Sequence, residues 1–195
     1  MVAYQPKKIP GRWRGGYALD VHTVSSSYLG DDEFGHSRFE TIRSEMGELL
    51  YKLKFGRDQT VVPVIADALE KFVKDWNPGI DVIVPVPPSS ERTFQPVIVL
   101  GDELEHRLGI AVVKCIKKVK DTPQLKNVAD LDERLRILEG VHEVDSAGIR
   151  GKRILLFDDL YRSGATMNAI TDILYDHGGA AEVFALTVTR TRSNR

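Results

Sequence analysis

The chain has 195 residues, enough for one domain with a substantial core. Its 27 lysines and arginines nearly balance its 28 aspartates and glutamates, which argues against a protein whose main task is to coat nucleic acid. Cys115 is the only cysteine, so an internal disulfide framework and a cysteine-based zinc site are excluded. Because no apolar run approaches the roughly 18 to 20 residues that span a bilayer, we expect a cytoplasmic protein without membrane contact.

The N-terminal region predicts an arm followed by a short hairpin. Residues 1–16 are rich in Lys, Arg, Gly and Pro and place Trp13 between two arginines. Two interpretations are open: a loosely ordered terminus, or a basic aromatic arm that touches nucleic acid. Apolar and polar residues then alternate over 17–24, which predicts a strand, and residues 37–42 are its expected antiparallel partner.

Two amphipathic helices are predicted after the hairpin. Ser44 is the expected N-cap of the first helix, which ends near Gly56. The second helix is expected from Val61 to Trp76, and Pro63 is tolerated because it lies in the first turn. Both segments carry apolar residues at helical spacing, so each helix has one face for a core.

Strands and helices alternate from residue 61 onward, which predicts a parallel sheet covered by helices on both faces. After the helix of residues 61–76, the expected elements are strands at 81–86, 111–116, 154–157 and 183–188, and helices at 96–108 and from residue 166 onward. Short right-handed crossovers between these elements then define most of the topology.

The stretch of residues 154–167, ILLFDDLYRSGATM, carries the chemistry. Four apolar residues typical of a buried strand are followed by two carboxylates, Asp158 and Asp159, at the expected strand end. A turn with Ser163 and Gly164 then enters a helix, whose unpaired N–H groups and dipole make a cradle for phosphate. The carboxylates would repel phosphate and should face sugar hydroxyls or a metal ion. A phosphorylated sugar would satisfy both halves of the motif.

Two loops are expected near this motif. The proline-rich segment 85–90 follows the strand at 81–86, and ligands gather outside the carboxyl ends of strands in an open α/β sheet. It is either a stiff connection or part of a binding site. Residues 117–136 hold six lysines and arginines, and a connection of this length is either solvated surface or a functional loop.

Two other nucleotide folds also end an apolar strand in acids. A P-loop NTPase requires G-x-x-x-x-G-K-[ST], and the nearest candidate, residues 148–153, fails on spacing and on the final hydroxyl. Phospho-receiver domains do not need Ser-Gly-Ala-Thr after the acidic pair. Both alternatives are therefore disfavoured.

The segment ILLFDDLYRSGAT resembles the phosphoribosyl diphosphate (PRPP) signature of type I phosphoribosyltransferases. The segments LLYKLKFGRD and PVPPSSERTFQPV are similar to the ComF-type branch, which is associated with DNA uptake competence. The same holds for a spaced pattern formed by Thr122, Gln124, Glu133, Arg134, Gly140 and Val144. The chain departs from this pattern at Ile137, where the branch usually has Asn, and at His142, where it usually has Phe. It also lacks the N-terminal zinc ribbon that many members carry.

The resemblance implies an α/β, type I phosphoribosyltransferase fold, with a parallel sheet, helices on both faces and a small N-terminal hood. Residues 1–60 would form the arm and hood, and residues 61–195 the phosphoribosyltransferase core. The implied reaction is Mg²⁺-dependent transfer of a 5-phosphoribosyl group from PRPP to a nitrogen nucleophile, with release of pyrophosphate.

Roles for individual residues follow from the same resemblance. The implied catalytic residues are Asp158, Asp159, Lys118 and Lys120. The implied 5-phosphate-binding residues are Arg162, Ser163, Gly164, Ala165 and Thr166. The implied pyrophosphate-binding residues are Pro88, Ser89, Ser90 and Arg92. Mg²⁺ is expected to be held mainly by PRPP, with contacts to the two aspartates through water.

The expected partners are PRPP, a small-molecule acceptor and a second copy of the chain in a homodimer. Nucleic acid is not indicated by the net charge and stays open as a further partner. No motif selects the acceptor, which is a nucleobase or another amine. A non-catalytic PRPP- or nucleotide-binding module, acting in DNA uptake competence or regulation, is the alternative to an enzyme.

Overall fold

A computed structural model describes residues 2–88, 94–121, 128 and 130–192 of the protein. The strands are β1 (Lys7–Lys8), β2 (Gly15–Val21), β3 (Thr23–Asp31), β4 (Ser37–Arg43), β5 (Val82–Pro85), β6 (Ile116–Lys118), β7 (His142–Val144), β8 (Arg153–Tyr161) and β9 (Glu182–Arg190). The α-helices are α1 (Glu45–Tyr51), α2 (Val62–Trp76), α3 (Pro96–Leu108), α4 (Leu131–Leu138) and α5 (Ala165–Asp176).

The centre of the molecule is a five-stranded sheet in the order β1-β2-β9-β8-β5. Strands β2, β9, β8 and β5 run parallel to one another, and β1 pairs antiparallel to β2 at one edge. The predicted α/β architecture with a mostly parallel sheet is confirmed. No helix in the described part of the chain is long and apolar enough to cross a membrane.

Alternating side chains of the sheet build two cores, one on each face. Leu155 and Phe157 of β8 face α1, α2 and α3, whereas Ile154 and Leu156 face α5. This alternation is the ordinary two-residue period of a strand. Since β8 is covered on both faces, its run of four consecutive apolar residues is fully buried.

The predicted pairing of the N-terminal hairpin is wrong in its first strand. Residues 17–21 belong to β2, which pairs parallel to β9 inside the main sheet. The partner of β4 is instead β3, residues 23–31, in a separate two-stranded sheet. The main sheet therefore includes residues from both predicted regions, 1–60 and 61–195, although the boundary at residue 60 stays a prediction.

The described N-terminal segment is packed, not loosely ordered. Trp13 is only 7% exposed, and its indole N–H donates to the carbonyl of Ile9 at 3.1 Å. Arg12 forms an ion pair with Asp172, and the backbone N–H of Arg12 donates to Asn168 Oδ1 at 2.8 Å. Trp13 is therefore part of the core, and its ring is not available to stack on a base.

The region between α3 and β8 differs most from the prediction. Of the expected strand at 111–116, only Val112 bridges the main sheet, to Ile83, and Ile116 begins β6. Strands β6 and β7 form their own antiparallel pair, and α4 occupies the end of the long basic connection. Short strands and a short helix carry weak periodic signals, so the sequence did not reveal them.

A first prediction concerns Gly47, which lies in α1 where that helix crosses the end of β2. A Cβ atom at Gly47 would sit 2.1 Å from the carbonyl oxygen of His22. Gly47→Ala is therefore expected to destabilise the protein by about 1–3 kcal/mol, although alanine normally favours a helix. The matched control is Gly101→Ala in α3, where a Cβ meets no atom within 4 Å and stability should not fall. Urea unfolding measures both, and equal stability of the two variants would contradict the prediction.

Candidate functional site

The two carboxylates lie within β8, not at its end. The strand continues for two residues beyond Asp159 and pairs with β9 as far as Tyr161, so the predicted position of the strand end is wrong. On the edge that faces β5, the pairing of β8 stops earlier than on the edge that faces β9, because β5 pairs with it only as far as Phe157. The acidic pair therefore begins where β5 ends, and in the described part of the chain no strand pairs with that edge of β8 beyond Phe157.

Asp159 forms an ion pair with Lys54, which comes from the helix after the hairpin. Lys54 Nζ donates to Asp159 Oδ2 at 2.6 Å, and the two side chains are only 26% and 13% exposed. By strand alternation Asp159 shares the face of Leu155 and Phe157, the face that α1 covers. The ion pair thus ties the N-terminal helix to the carboxyl half of β8.

A π-helical turn, residues 52–56, brings Lys54 to this position. It continues α1 without a break and ends at Arg57, which adopts a left-handed conformation with φ of 54°. In the same segment Leu53 is fully buried in the core, so Lys54 is held at a defined height above the sheet. Single π-helical turns often occur at functional sites because they re-aim side chains.

Asp158 lies on the opposite face of β8 and has an unusual protonation equilibrium. Burial and the negative charge of Asp159 raise the pKa of the Asp158 carboxyl above its ordinary value of 3.8, while the Asp159 N–H and Lys54 partly oppose the rise. The Asp159 N–H donates to Asp158 Oδ1 at 2.8 Å. The pair therefore combines one carboxylate held by a cation with one carboxyl that resists ionisation.

His22 stands beside this pair at the base of the hairpin. Its Nδ1 lies 3.2 Å from Thr189 Oγ1 of β9. Burial lowers the pKa of His22, and the charges of Arg43 and Lys54 lower it further, whereas Asp159 opposes them. Two cations, Arg43 and Lys54, therefore lie close enough to His22 to favour its uncharged imidazole.

Arg43 is held at this side of the site by an aromatic ring. Its guanidinium carbon lies 3.8 Å from the centroid of the Tyr51 ring, and Nη1 lies 3.5 Å from Glu48 Oε2. Tyr51 in turn packs against Phe55, with ring centroids 4.9 Å apart. The base of the hairpin is thereby joined to α1 and to the π-helical turn that carries Lys54.

The turn after β8 has the features of an anion cradle. Gly164 has a φ of 77° and precedes α5 directly, so it offers no side chain to cap the first N–H groups of that helix. A Cβ at Gly164 would lie 2.7 Å from the ring of Tyr161, so a larger residue does not fit. Arg162 is exposed, whereas Ala165 is buried and Thr166 is half-buried. The predicted phosphate-binding residues therefore all lie between the acidic pair and the first turn of α5.

The proline-rich loop starts beside the acidic pair. The backbone N–H of Val86 donates to the carbonyl of Phe157 at 2.8 Å, next to Asp158. Pro88 follows and is exposed. The other predicted pyrophosphate-binding residues, Ser89, Ser90 and Arg92, lie outside the described residues, so their role stays a prediction.

Lys118 and Lys120 lie in a neighbouring unit formed by β6, β7 and α4. Lys118 pairs across the strands with His142, and its Nζ lies 3.7 Å from Asp121 Oδ1. Lys120 points toward Gly140. This unit packs on the first turn of α5, since Leu138 and Val141 form a small core with Ala165. The catalytic role of the two lysines stays a prediction.

Three residues of the site were not identified from the sequence as site residues. Lys54, His22 and Arg43 lie 105, 137 and 116 positions before Asp159; in the fold Lys54 contacts Asp159, and His22 lies within the electrostatic influence of Asp159 and Arg43. Contacts between residues so far apart in the chain leave no periodic pattern in the sequence. The lysine-bearing segment LLYKLKFGRD was the single cue, because its similarity to the ComF-type branch marks the helix, although not the lysine, as part of the pattern.

Comparison with known proteins identifies the fold. The chain is 28% identical to the competence protein ComFC of Bacillus subtilis (strain 168) over 156 residues, which cover 77% of this chain and 62% of that protein. The glutamine PRPP amidotransferase from B. subtilis, complexed with ADP and GMP, superimposes with a TM-score of 0.51 at 18% identity, over 80% of this chain and 34% of that chain. The chain has the type I phosphoribosyltransferase fold. The predicted resemblance to the ComF-type branch is confirmed.

Similarity to a further solved structure is weaker. Adenine phosphoribosyltransferase from Saccharomyces cerevisiae, complexed with an imino-altritol bisphosphate and adenine, has a TM-score of 0.48 at 15% identity and covers 84% of both chains. No family model matches the chain. The chain spans less than two thirds of the length of the competence protein.

Proposed function

We propose that the protein binds PRPP and transfers its 5-phosphoribosyl group to a nitrogen nucleophile, with release of pyrophosphate. The observation that carries this proposal is the sequence of features along β8 and α5: an acidic pair, half-buried at Asp158 and buried at Asp159, then a positive-φ glycine, then a helix N-terminus whose N-cap residue has no side chain. Together they offer acceptors for sugar hydroxyls and donors for a phosphate at the two ends of one ligand. The acceptor is a nucleobase or another amine.

Each side chain of the site would have a distinct task in this reaction. The N–H groups from Arg162 to Thr166 would hold the 5-phosphate, and Asp158 and Asp159 would accept hydrogen bonds from the ribose hydroxyls. The transition state of such a displacement carries positive charge on the ribose ring, which a nearby carboxylate stabilises. Lys54 holds Asp159 in place, so the carboxylate does not have to reorient during the reaction.

The donor set fits a magnesium ion that is bound mainly by the substrate. No group of three or more His, Cys, Asp or Glu side chains that could hold a metal occurs among the described residues. Lys54 already occupies one oxygen of Asp159. Two carboxyl groups remain as partners for the water shell that Mg²⁺ usually keeps. When bound, Mg²⁺ would neutralise charge on the leaving pyrophosphate.

A non-catalytic PRPP-binding module is the second candidate, and one observation favours it. The relative that matches over 77% of the chain is named as a competence protein, not as a transferase. The phosphate cradle and the acidic pair serve binding and catalysis equally, so the fold alone does not separate the two functions. A binding module would act in DNA uptake competence or in regulation.

Calorimetry and a turnover assay test the proposal in two steps. Titration of the protein with PRPP and MgCl₂ is expected to give saturable heat and a higher Tm, since a ligand that binds only the folded state stabilises it. Absence of heat would refute PRPP binding. Pyrophosphate release is then measured with a panel of purines, pyrimidines and simple amines. Turnover with one of them supports the transferase, whereas binding without turnover across the panel supports the module.

A further inference from the structure

The hairpin β3–β4 is the most apolar exposed part of the described chain. Ten large hydrophobic side chains are exposed among the described residues, and six of them lie between residues 24 and 42. These are Val24, Tyr28, Leu29, Phe34, Phe39 and Ile42. With aromatic side chains of about 150–250 Å² each, they expose on the order of 500 Å² of apolar surface. Phe39 and Ile42 lie three positions apart in β4 and therefore on opposite faces, so this apolar surface is spread over both faces of the hairpin.

The hairpin also has one strand edge that is available for pairing. At the base of β3, the Arg192 guanidinium donates to the carbonyl of Val24 at 2.5 Å, so the outer edge of β3 is approached by the C-terminal segment. In the described part of the chain, β4 pairs only with β3. Residues 37–42 of β4 are all exposed. An exposed edge with apolar side chains is a template for another strand.

The sequence of β4, SRFETIR, is complementary to itself. In an antiparallel pair of two β4 strands with Phe39 opposite Phe39, each Arg38 stands opposite Glu40 of the other copy. The same register places Ser37 opposite Thr41. Opposite charges and hydroxyl pairs in these positions each favour pairing, whereas like charges disfavour it. A two-fold axis through Phe39 produces the Arg38–Glu40 and Ser37–Thr41 contacts twice and the Phe39–Phe39 contact once.

The aromatic residues of the hairpin support the same register. Tyr28 and Phe39 are cross-strand neighbours, and their ring centroids lie 5.6 Å apart. Side chains of directly paired residues share a face, so the Phe39 rings of two copies would extend this pair into a strip of four rings. Arg38 and Glu40 alternate with Phe39 and would form their ion pairs on the opposite face.

We propose that two copies of the protein associate through the β4 edge of the hairpin to form a continuous four-stranded antiparallel sheet. The two-fold axis passes through Phe39. The homodimer covers both the exposed edge of β4 and part of the apolar surface of the hairpin. This proposal does not depend on PRPP binding or on transferase activity.

Charge reversal tests the register. Arg38→Glu and Glu40→Arg each place like charges opposite one another, and each is expected to weaken dimerisation at least about tenfold in sedimentation velocity between roughly 1 and 100 µM. An equimolar mixture of the two variants restores opposite charges in a heterodimer, so it is expected to sediment as a dimer. The double variant Arg38→Glu/Glu40→Arg restores them within a homodimer.

Glu33→Arg is the matched control, because Glu33 is exposed in the hairpin turn and outside the paired segment. It is expected to dimerise like the wild-type protein. The proposal is overturned if the wild-type protein stays monomeric over this range, or if the single variants dimerise as tightly as the wild-type protein. It is also overturned if mixing the single variants does not restore the dimer. Restoration by mixing would itself show that both variants are folded.

Discussion

Asp158→Asn is expected to stabilise the protein at neutral and alkaline pH and, in the proposed transfer reaction, to lower turnover by at least about 100-fold. Burial and the charge of Asp159 raise the pKa of Asp158, so the folded protein disfavours the ionised form of this carboxyl. Asparagine has no charge to bury, and its amide oxygen can still accept from the Asp159 N–H. We expect a gain of about 2 kcal/mol at pH 8, or roughly 4–8 °C in Tm for a domain of this size.

The pH dependence of this gain has a defined sign. Well below the ordinary pKa of 3.8, the Asp158 carboxyl carries its proton in the folded and the unfolded state, so the wild type and the variant should have similar stability. Above the ordinary pKa of 3.8, the unfolded chain ionises first, and the wild type loses stability as the pH rises through the raised pKa of the folded state. The advantage of the variant should therefore grow from pH 4 to pH 8.

Thermal unfolding of both proteins at several pH values measures this effect. Glu143→Gln is the control, since Glu143 is an exposed carboxylate on β7 and its removal should leave the pH profile unchanged. A variant that is less stable than the wild type at pH 8 would show that Asp158 is ionised and well stabilised in the folded protein. A variant that retains full turnover would remove Asp158 from the catalytic residues.

Lys54→Met is expected to have the largest destabilising effect at the site. It removes the cation that pairs with Asp159 and leaves a carboxylate that is only 13% exposed without this partner. Because the pair is neither fully buried nor at the open surface, we expect a loss of about 1–3 kcal/mol in the free energy of unfolding. Turnover should also fall, since Asp159 would no longer be held beside the sugar.

A double variant separates the ion pair from general packing. In Lys54→Met/Asp159→Asn the uncompensated charge is gone, so most of the lost stability should return, although turnover should not. Lys52→Met is the matched control, because Lys52 is exposed in the same π-helical turn and should change neither quantity. Equal effects of Lys54→Met and Lys52→Met in urea unfolding would show that the Lys54–Asp159 contact contributes no stability.

The two expected results indicate that a group proposed to serve function at this site lowers the stability of the folded protein. Asp158 lowers stability because it resists ionisation in its buried position, whereas Lys54 offsets part of the cost of placing two carboxyl groups side by side. Functional sites commonly hold such unfavourable groups, since their charge must face a ligand that is absent from the free protein. Binding of a ligand with several hydroxyl groups would relieve this cost.

The residues with strong local patterns were predictable from the sequence. Helix α3 spans residues 96–108, as its spacing indicates, and Ser44 caps α1 with its hydroxyl 3.0 Å from the Gly47 N–H. The apolar run before Asp158 marked β8 as an interior strand, since only a strand buried on both faces needs four consecutive apolar residues. Gly164 marked the turn, because its φ of 77° suits glycine.

Weaker local signals led to the errors. The alternation over 17–24 joined two strands, β2 and β3, that belong to different sheets, since alternation does not identify the partner of a strand. The dense charges of the basic N-terminal segment left two interpretations open, a loosely ordered terminus and an arm that touches nucleic acid. In the fold, Arg12 and Arg14 each find a carboxylate more than 150 residues away, on Asp172 and Glu182, and Trp13 is buried.

The sequence by itself determined the α/β fold, the acidic pair and the glycine turn, because each depends on neighbours within about ten residues. Only the tertiary structure decided that Asp159 meets Lys54, that Arg43 lies close to His22 and keeps its imidazole from taking a proton, and that β4 pairs only with β3 in the described part of the chain. These features arise where parallel strands and a π-helical turn bring distant segments together. Contacts of that kind depend on the packing of the whole sheet and not on any local pattern.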